Sequence, residues 1–270
     1  MLPCRVNDMP LKIIQVDAFT DRPFAGNPAA VCVLPNAADA TWMQNVAREM
    51  NLSETAFLYP QNDIYQLRWF TPTVEVDLCG HATLAAAHVL WEERHLPTSQ
   101  VARFQTKSGI LTAERNGEWI ELNFPAVHEE AVTPPEGLAE VLGAPFQYVG
   151  KNRMDYLVQV DSEKTVRSLQ PDHGRLKKIP VRGVIVTSRS DSAQFDFVSR
   201  FFAPGSGIEE DPVTGSAHCC LGPYWQRILG KSEFVAYQAS ARGGQVRVRV
   251  NGDRVILGGQ AVTVLRGELL

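Results

Sequence analysis

The sequence of 270 residues lacks the two common nucleotide-binding signatures. No Gly-x-Gly-x-x-Gly follows a strand-like segment and no Gly-x-x-x-x-Gly-Lys-Ser/Thr occurs, which excludes a dinucleotide fingerprint and a P-loop. Gly-x-Ser-x-Gly is also missing, and no histidine–carboxylate spacing supports a serine nucleophile. No apolar run approaches the roughly 20 residues needed to span a bilayer. Residues 1–8, Met-Leu-Pro-Cys-Arg-Val-Asn-Asp, lack the apolar core of a signal peptide. The first strand is expected just after Met9, which leaves both Met1 and Met9 open as the native start, and a cytoplasmic protein is expected. The five cysteines are odd in number and include no Cys-x-x-Cys, which argues against a disulfide framework. Cys219 and Cys220 are adjacent, and helix neighbours point about 100° apart, so they do not suit a zinc site. With a net charge of −4 and no Lys/Arg run, neither nucleic acid nor a membrane surface is an expected partner.

What is present is a repeat. Arg68-Trp69-Phe70-Thr71-Pro72 leads to Cys79-Gly80-His81-Ala82, and Arg200-Phe201-Phe202-Ala203-Pro204 leads to Thr214-Gly215-Ser216-Ala217. Both read as an aromatic strand, a proline turn, an acidic loop and a small-Gly-polar-Ala step into a helix. The second loop is three residues longer. Further strands follow, Phe104-Gln105-Thr106 and Tyr237-Gln238-Ala239, and then a hairpin in each half with Asn116-Gly117 or Asn251-Gly252 at a type I′ turn.

The expected fold is α+β: two pseudo-symmetric halves, 1–126 and 127–270, each a curled sheet or β-barrel around a central helix. The first half can take a closing strand from the C-terminus. The boundary region is 126–153, rich in Pro, Gly and charge. Four helices are predicted. One runs from Thr41 to Met50, opened by a Thr-x-x-Gln capping box. Thr83 to Arg94 and Ala217 to Leu229 follow the motif, and Ser162 to Leu169 is short. The segment Ala82–Leu90 is apolar nearly all round, as a helix enclosed by strands would be. Arg242-Gly243-Gly244 reads as a turn or bulge.

Gly80 and Gly215 stand at helix starts, where free amides and the positive dipole end suit a carboxylate or oxyanion, although either glycine could serve its turn alone. His81 follows Gly80; a helix N-terminus favours the neutral imidazole, fit for proton exchange or a hydrogen bond to substrate. A capping or core histidine is the plainer alternative. His88 and His95 read as structural or solvated, and His218 is ambiguous. Glu54 leads into Ala56-Phe57-Leu58, where desolvation would raise its pKa and suit it to take and return a proton. The alternative is an exposed turn glutamate. Asp211 is held extended by Pro212, and Ser216 can donate to a substrate.

These segments resemble the phenazine-biosynthesis PhzF-like family, which shares the diaminopimelate epimerase fold. The resemblance rests on Val16-Asp17-Ala18-Phe19-Thr20 with Phe24-Ala25-Gly26-Asn27-Pro28-Ala29-Ala30-Val31, on Leu52-Ser53-Glu54-Thr55-Ala56-Phe57, on Phe70-Thr71-Pro72 through Gly80-His81-Ala82-Thr83, and on Glu210 through Ala217. It implies an active site in the cleft between the two halves and a cofactor-independent isomerisation like that of a dihydro-hydroxyanthranilate. It further implies Glu54 as the proton shuttle, with His81, Asp211 and Ser216 as the other polar residues of the site. Gly80, Gly215, Asn27 and Thr214 are the substrate-binding candidates, and neither metal nor cofactor is expected. Epimerase relatives pair two cysteines, one from each copy of the motif. Here those positions hold Cys79 and Thr214, so Cys79 is read as a small packing residue.

The function expected is an isomerase moving a proton between carbons of a small, cyclic or acyclic, carboxylic acid. A homodimer is the default assembly. A non-catalytic binding or scaffold protein of the same fold, and an amino-acid epimerase or racemase, remain alternatives at this point.

Overall fold

The computed structural model describes residues 10–270; the expectation about residues 1–8 and the native start lies outside them. The chain divides into two compact units. The first comprises the chain to Phe24, Pro28–Leu122 and Gln260–Leu270, and the second Ala25–Asn27 and Asn123–Gly259. The sequence suggests a boundary at 126/127 with a C-terminal strand that can close the first half; the chain passes between units after Leu122 and after Gly259, and Ala25–Asn27 also group with the second unit.

The first unit holds β1 (Leu11–Ala18), β2 (Asn27–Val33, all but its first residue), α1 (Ala40–Met50), β3 (Glu54–Gln61), β4 (Ile64–Phe70), β5 (Glu75–Val76), α2 (Gly80–Glu92), β6 (Ala102–Thr106), β7 (Gly109–Asn116) and most of β8 (Trp119–Pro125). β2 runs parallel to β3, β3 antiparallel to β4, β4 parallel to β6, and β6–β7–β8 form a meander. α2 is therefore the crossover of a parallel β4–α2–β6 unit, which places its N-terminus beyond the carboxyl end of β4. Every residue from His81 to Ala87 is buried, the enclosed helix expected from the apolar run. On another face Met43, Val46 and Ala47 of α1 pack with Ile13, Phe57 and Phe70.

The second unit holds β9 (Glu130–Ala131), α3 (Leu138–Leu142), β10 (Tyr148–Lys151), β11 (Asp155–Gln159), α4 (Glu163–Ser168), α5 (His173–Leu176), β12 (Gly183–Arg189), β13 (Phe197–Phe202), α6 (Gly215–Leu229), β14 (Glu233–Gln238), β15 (Gly244–Asn251) and β16 (Arg254–Gly259). Its pairing repeats the first unit: β11 parallel to β12, β12 antiparallel to β13, β13 parallel to β14, then the β14–β15–β16 meander. α6 is the equivalent crossover helix. The last strand, β17 (Ala261–Leu269), pairs antiparallel with β1 and so belongs to the first unit.

Three local expectations are corrected. The first helix is capped not by Thr41 but by Asp39, whose carboxylate accepts from the Thr41 and Trp42 amides, while Gln44 donates to the Thr71 carbonyl. The helices of the motif start at Gly80 and Gly215, as the glycines imply, so the spans expected from Thr83 and Ala217 begin three and two residues late. The hairpin loops are Gly117-Glu118 and Gly252-Asp253, because Asn116 pairs with Trp119 and Asn251 with Arg254. Only the glycines have positive φ, +63° and +60°, the pattern of a type II′ turn. Among the described residues no helix is long and apolar enough to cross a membrane.

Candidate active site

The loop from β4 to α2 is held by a bidentate ion pair. Arg68 Nε and Nη2 donate to Glu75 Oε1 and Oε2 at 2.7 and 2.9 Å. The duplicate loop has the same clamp: Arg200 Nε and Nη2 donate to Glu210 at 2.6 and 2.8 Å. Each guanidinium also lies over a strand phenylalanine, Phe70 at 5.1 Å and Phe202 at 4.8 Å. The extra length of the second loop is taken up by a 3₁₀ turn at Pro204–Ser206. Repeated sequence has become a repeated device that delivers a helix N-terminus to a set place.

In the first unit that N-terminus carries Cys79 as its extended N-cap, then Gly80 and His81. No side-chain capping bond of standard geometry closes it, although the Ala82 amide lies against the Cys79 sulfur; a helix start of this kind suits an anion. Glu54 opens β3, paired in register with Ala29 of β2. This brings Glu54 Oε2 to 2.9 Å from His81 Nε2, with only 12% and 5% of the two side chains exposed. That carboxylate oxygen is buried and accepts no hydrogen bond of good geometry among the described residues, so the contact with His81 is one of proximity and charge. Cys79 Sγ lies 3.6 Å from His81 Nδ1 and 3.9 Å from Nε2, so the sulfur faces the imidazole as well as being buried. The reading of Cys79 as packing alone is thus too narrow.

The neutral imidazole expected of His81 is also corrected. Burial alone would lower its pKa, yet the negative charges of Cys79 and Glu54 override that and raise it well above the ordinary histidine value. Burial pushes the Cys79 thiol up to about 11, so near neutrality it keeps its proton. We therefore assign the effect on His81 at pH 7 to Glu54. Glu54 and His81 thus form a buried acid–base pair in contact.

In the second unit Thr214 is the N-cap of α6, followed by Gly215 and a half-buried Ser216. Asp211 is engaged at both oxygens: Asn27 Nδ2 donates to Oδ1 at 2.7 Å and Thr214 Oγ1 to Oδ2 at 2.5 Å. Asn27 also donates to the Val213 carbonyl at 2.9 Å. Gln238, fully buried, donates to the Asp211 carbonyl at 2.7 Å and accepts from the Thr214 amide at 2.8 Å. Gln238 was missed as a site residue, although it lies in the repeated strand Tyr237-Gln238-Ala239; its spacing from Asp211 says nothing of the contact. His218 is a core residue, its Nδ1 2.8 Å from the Thr214 carbonyl. The pair Cys79/Thr214 is not a pair of thiols, and the Thr214 hydroxyl is committed to Asp211.

The family model described as phenazine biosynthesis-like protein, PhzC-PhzF, matches residues 16–267. The chain belongs to the PhzC-PhzF family. A relative from Halalkalibacterium halodurans named "uncharacterized isomerase" is 60% identical, over 97% of this chain and 99% of its own. A crystal structure of a PhzF family protein from Enterococcus faecalis superposes with a TM-score of 0.93 at 42% identity, covering 97% of this chain and all of that one. A hydroxyproline epimerase from Agrobacterium vitis shares the fold, with a TM-score of 0.63 at 10% identity over 97% of this chain and 93% of its own. The fold is diaminopimelate epimerase-like, as the motifs of the PhzF resemblance imply.

Proposed function

We propose that this PhzC-PhzF family protein is a cofactor-independent isomerase that moves a proton between carbons of a small carboxylic acid. The 2.9 Å contact between Glu54 Oε2 and His81 Nε2, nearly closed to solvent, carries the reading. Glu54 removes a proton from a carbon activated by the substrate carboxylate. The imidazolium of His81 stabilises the negative charge that develops, and the proton returns at a second carbon. The amides at Gly80 bind an anionic oxygen of the substrate, and the second unit carries an equivalent helix start at Gly215. Asp211 and Ser216 are the polar candidates beside Gly215, and Asn27, Thr214 and Gln238 keep Asp211 in place. One positioned acid or base contributes about 10²–10⁴-fold in rate. Orientation and oxyanion binding must supply the rest.

The isomerase name of the relative from H. halodurans supports the reaction class. The high thiol pKa of Cys79 and the committed hydroxyl of Thr214 speak against a two-base racemase. The test is a solvent-deuterium exchange screen of cyclic and acyclic carboxylic acids, read by mass spectrometry. Wild-type protein should catalyse exchange into at least one of them. Glu54→Gln should lower that rate at least about 10³-fold while leaving substrate affinity within a few-fold. Exchange at the wild-type rate in the variant would remove Glu54 from the mechanism.

A further inference from the structure

The three polar atoms at the start of α2 have chemistry beyond proton transfer. We propose that Glu54, Cys79 and His81 form a binding site for a thiophilic divalent cation of the zinc type. One carboxylate oxygen, one imidazole nitrogen and one sulfur lie within 4.8 Å of one another. Within that set Oε2–Nε2 is 2.9 Å and Sγ–Nε2 is 3.9 Å. Around tetrahedral zinc, with bonds of about 2.0–2.3 Å, neighbouring donors stand about 3.3–3.7 Å apart. The two spacings bracket that range, and the side chains must rotate to aim the three lone pairs at one point. A mixed S, N, O set selects zinc-like ions, since magnesium and calcium take oxygen alone.

The donors are held before any metal arrives. Cys79 is an extended N-cap, His81 lies in the first helical turn and Glu54 is fixed by its register with Ala29. The helix end opposes a cation with roughly half an elementary charge. A carboxylate and a thiolate oppose it with two full charges of the favourable sign. On binding, the Cys79 thiol and the His81 imidazolium each release a proton to solvent, because a coordinating thiol is deprotonated outright. Three protein ligands leave a fourth position for water or a substrate carboxylate.

The consequence is inhibition. A metal between Oε2 and Nε2 removes both the free base and the acid. This consequence rests on the acid–base reading of the pair; the binding itself does not.

Cobalt(II) is the probe. Titrated into the full chain under reducing conditions, it should bind one ion per chain with a thiolate-to-cobalt charge-transfer band in the near ultraviolet. Zinc should displace it, and Cys79→Ser, checked for folding by circular dichroism, should abolish the band. No band in the wild type, or an undiminished one in Cys79→Ser, overturns the proposal. Cadmium-113 NMR needs no variant. The bound ion should correlate with the Cys79 β-protons and the His81 ring, and correlations to Cys219 or Cys220 instead overturn the site. Zinc should also abolish deuterium exchange, and full exchange by zinc-loaded protein overturns the inhibitory role. Cobalt binding at Cys79 in a chain that exchanges no acid sustains the metal site while sinking the catalytic reading.

Discussion

Glu54 and His81 set each other's chemistry. Cys79 and Glu54 both raise the His81 pKa against burial, which lowers it, and removing the carboxylate charge takes away the Glu54 share. In Glu54→Gln the His81 titration, followed by ¹⁵N NMR of the ring, should move down from its elevated position. A titration that stays in place would dissolve the pair. His218 titrates in the opposite direction. Burial pushes its pKa down to about 4 from an ordinary 6.5. The unfolded chain therefore binds a proton in that window while the folded chain does not. The His218 contribution is fully present above pH 6.5 and is lost as pH falls towards 4, a loss on the order of 3 kcal/mol. Urea midpoints measured from pH 7 to 4 should fall less steeply in His218→Gln; parallel slopes would refute the assignment. Glu54, His81, Asp211 and Ser216 could all be named as candidates from the sequence. The charge state of His81 could not, because it depends on a strand residue 27 positions away.

The duplicated arginine clamps allow a comparison between elements of one molecule. The Arg200 side chain is 11% exposed and that of Arg68 30%. Arg200 also donates to the Leu169 carbonyl at 2.8 Å, so losing its carboxylate strands a more deeply buried cation. Glu210→Gln should cost about 2–4 kcal/mol and Glu75→Gln about 1 kcal/mol after allowance for solvent screening. Equal costs by chemical denaturation would show that burial does not set the difference. α6 shows how the fold absorbs a local conflict. Pro223 lies inside the helix and cannot donate to the Cys219 carbonyl, which instead accepts from the Val127 amide at 3.1 Å. The helices, hairpins and central apolar runs were legible because each is a periodic or turn-forming pattern in neighbouring residues. Helix starts were less so, since Cys79 and Thr214 are N-caps whose side chains make no capping bond. The turn type differed because strand register, not the Asn-Gly dipeptide, chose which two residues bend.

At the scale of the molecule, β17 supplies the antiparallel partner of β1, from Leu11↔Leu269 to Ala18↔Ala261. A chain ending at Gly259 would leave β1 without those ladder bonds. Hydrogen exchange should then rise throughout β1 while β13 to β15, paired within the second unit, keep their protection. Uniform loss of protection would mean that the two units do not keep separate stability.

The sequence by itself determined the duplication, the α+β class, the two enclosed helices and the residue types at each helix start. All of these are written in short-range pattern and in resemblance to a family. Only the tertiary structure decided that Glu54 meets His81 beside Cys79, that Asp211 is pinned by Asn27 and Thr214, and that Gln238 belongs with them. The Glu54–His81 and Asn27–Asp211 contacts join segments far apart in the chain. Strand register and helix placement bring them to 2.9 and 2.7 Å, and no spacing along a chain encodes that distance.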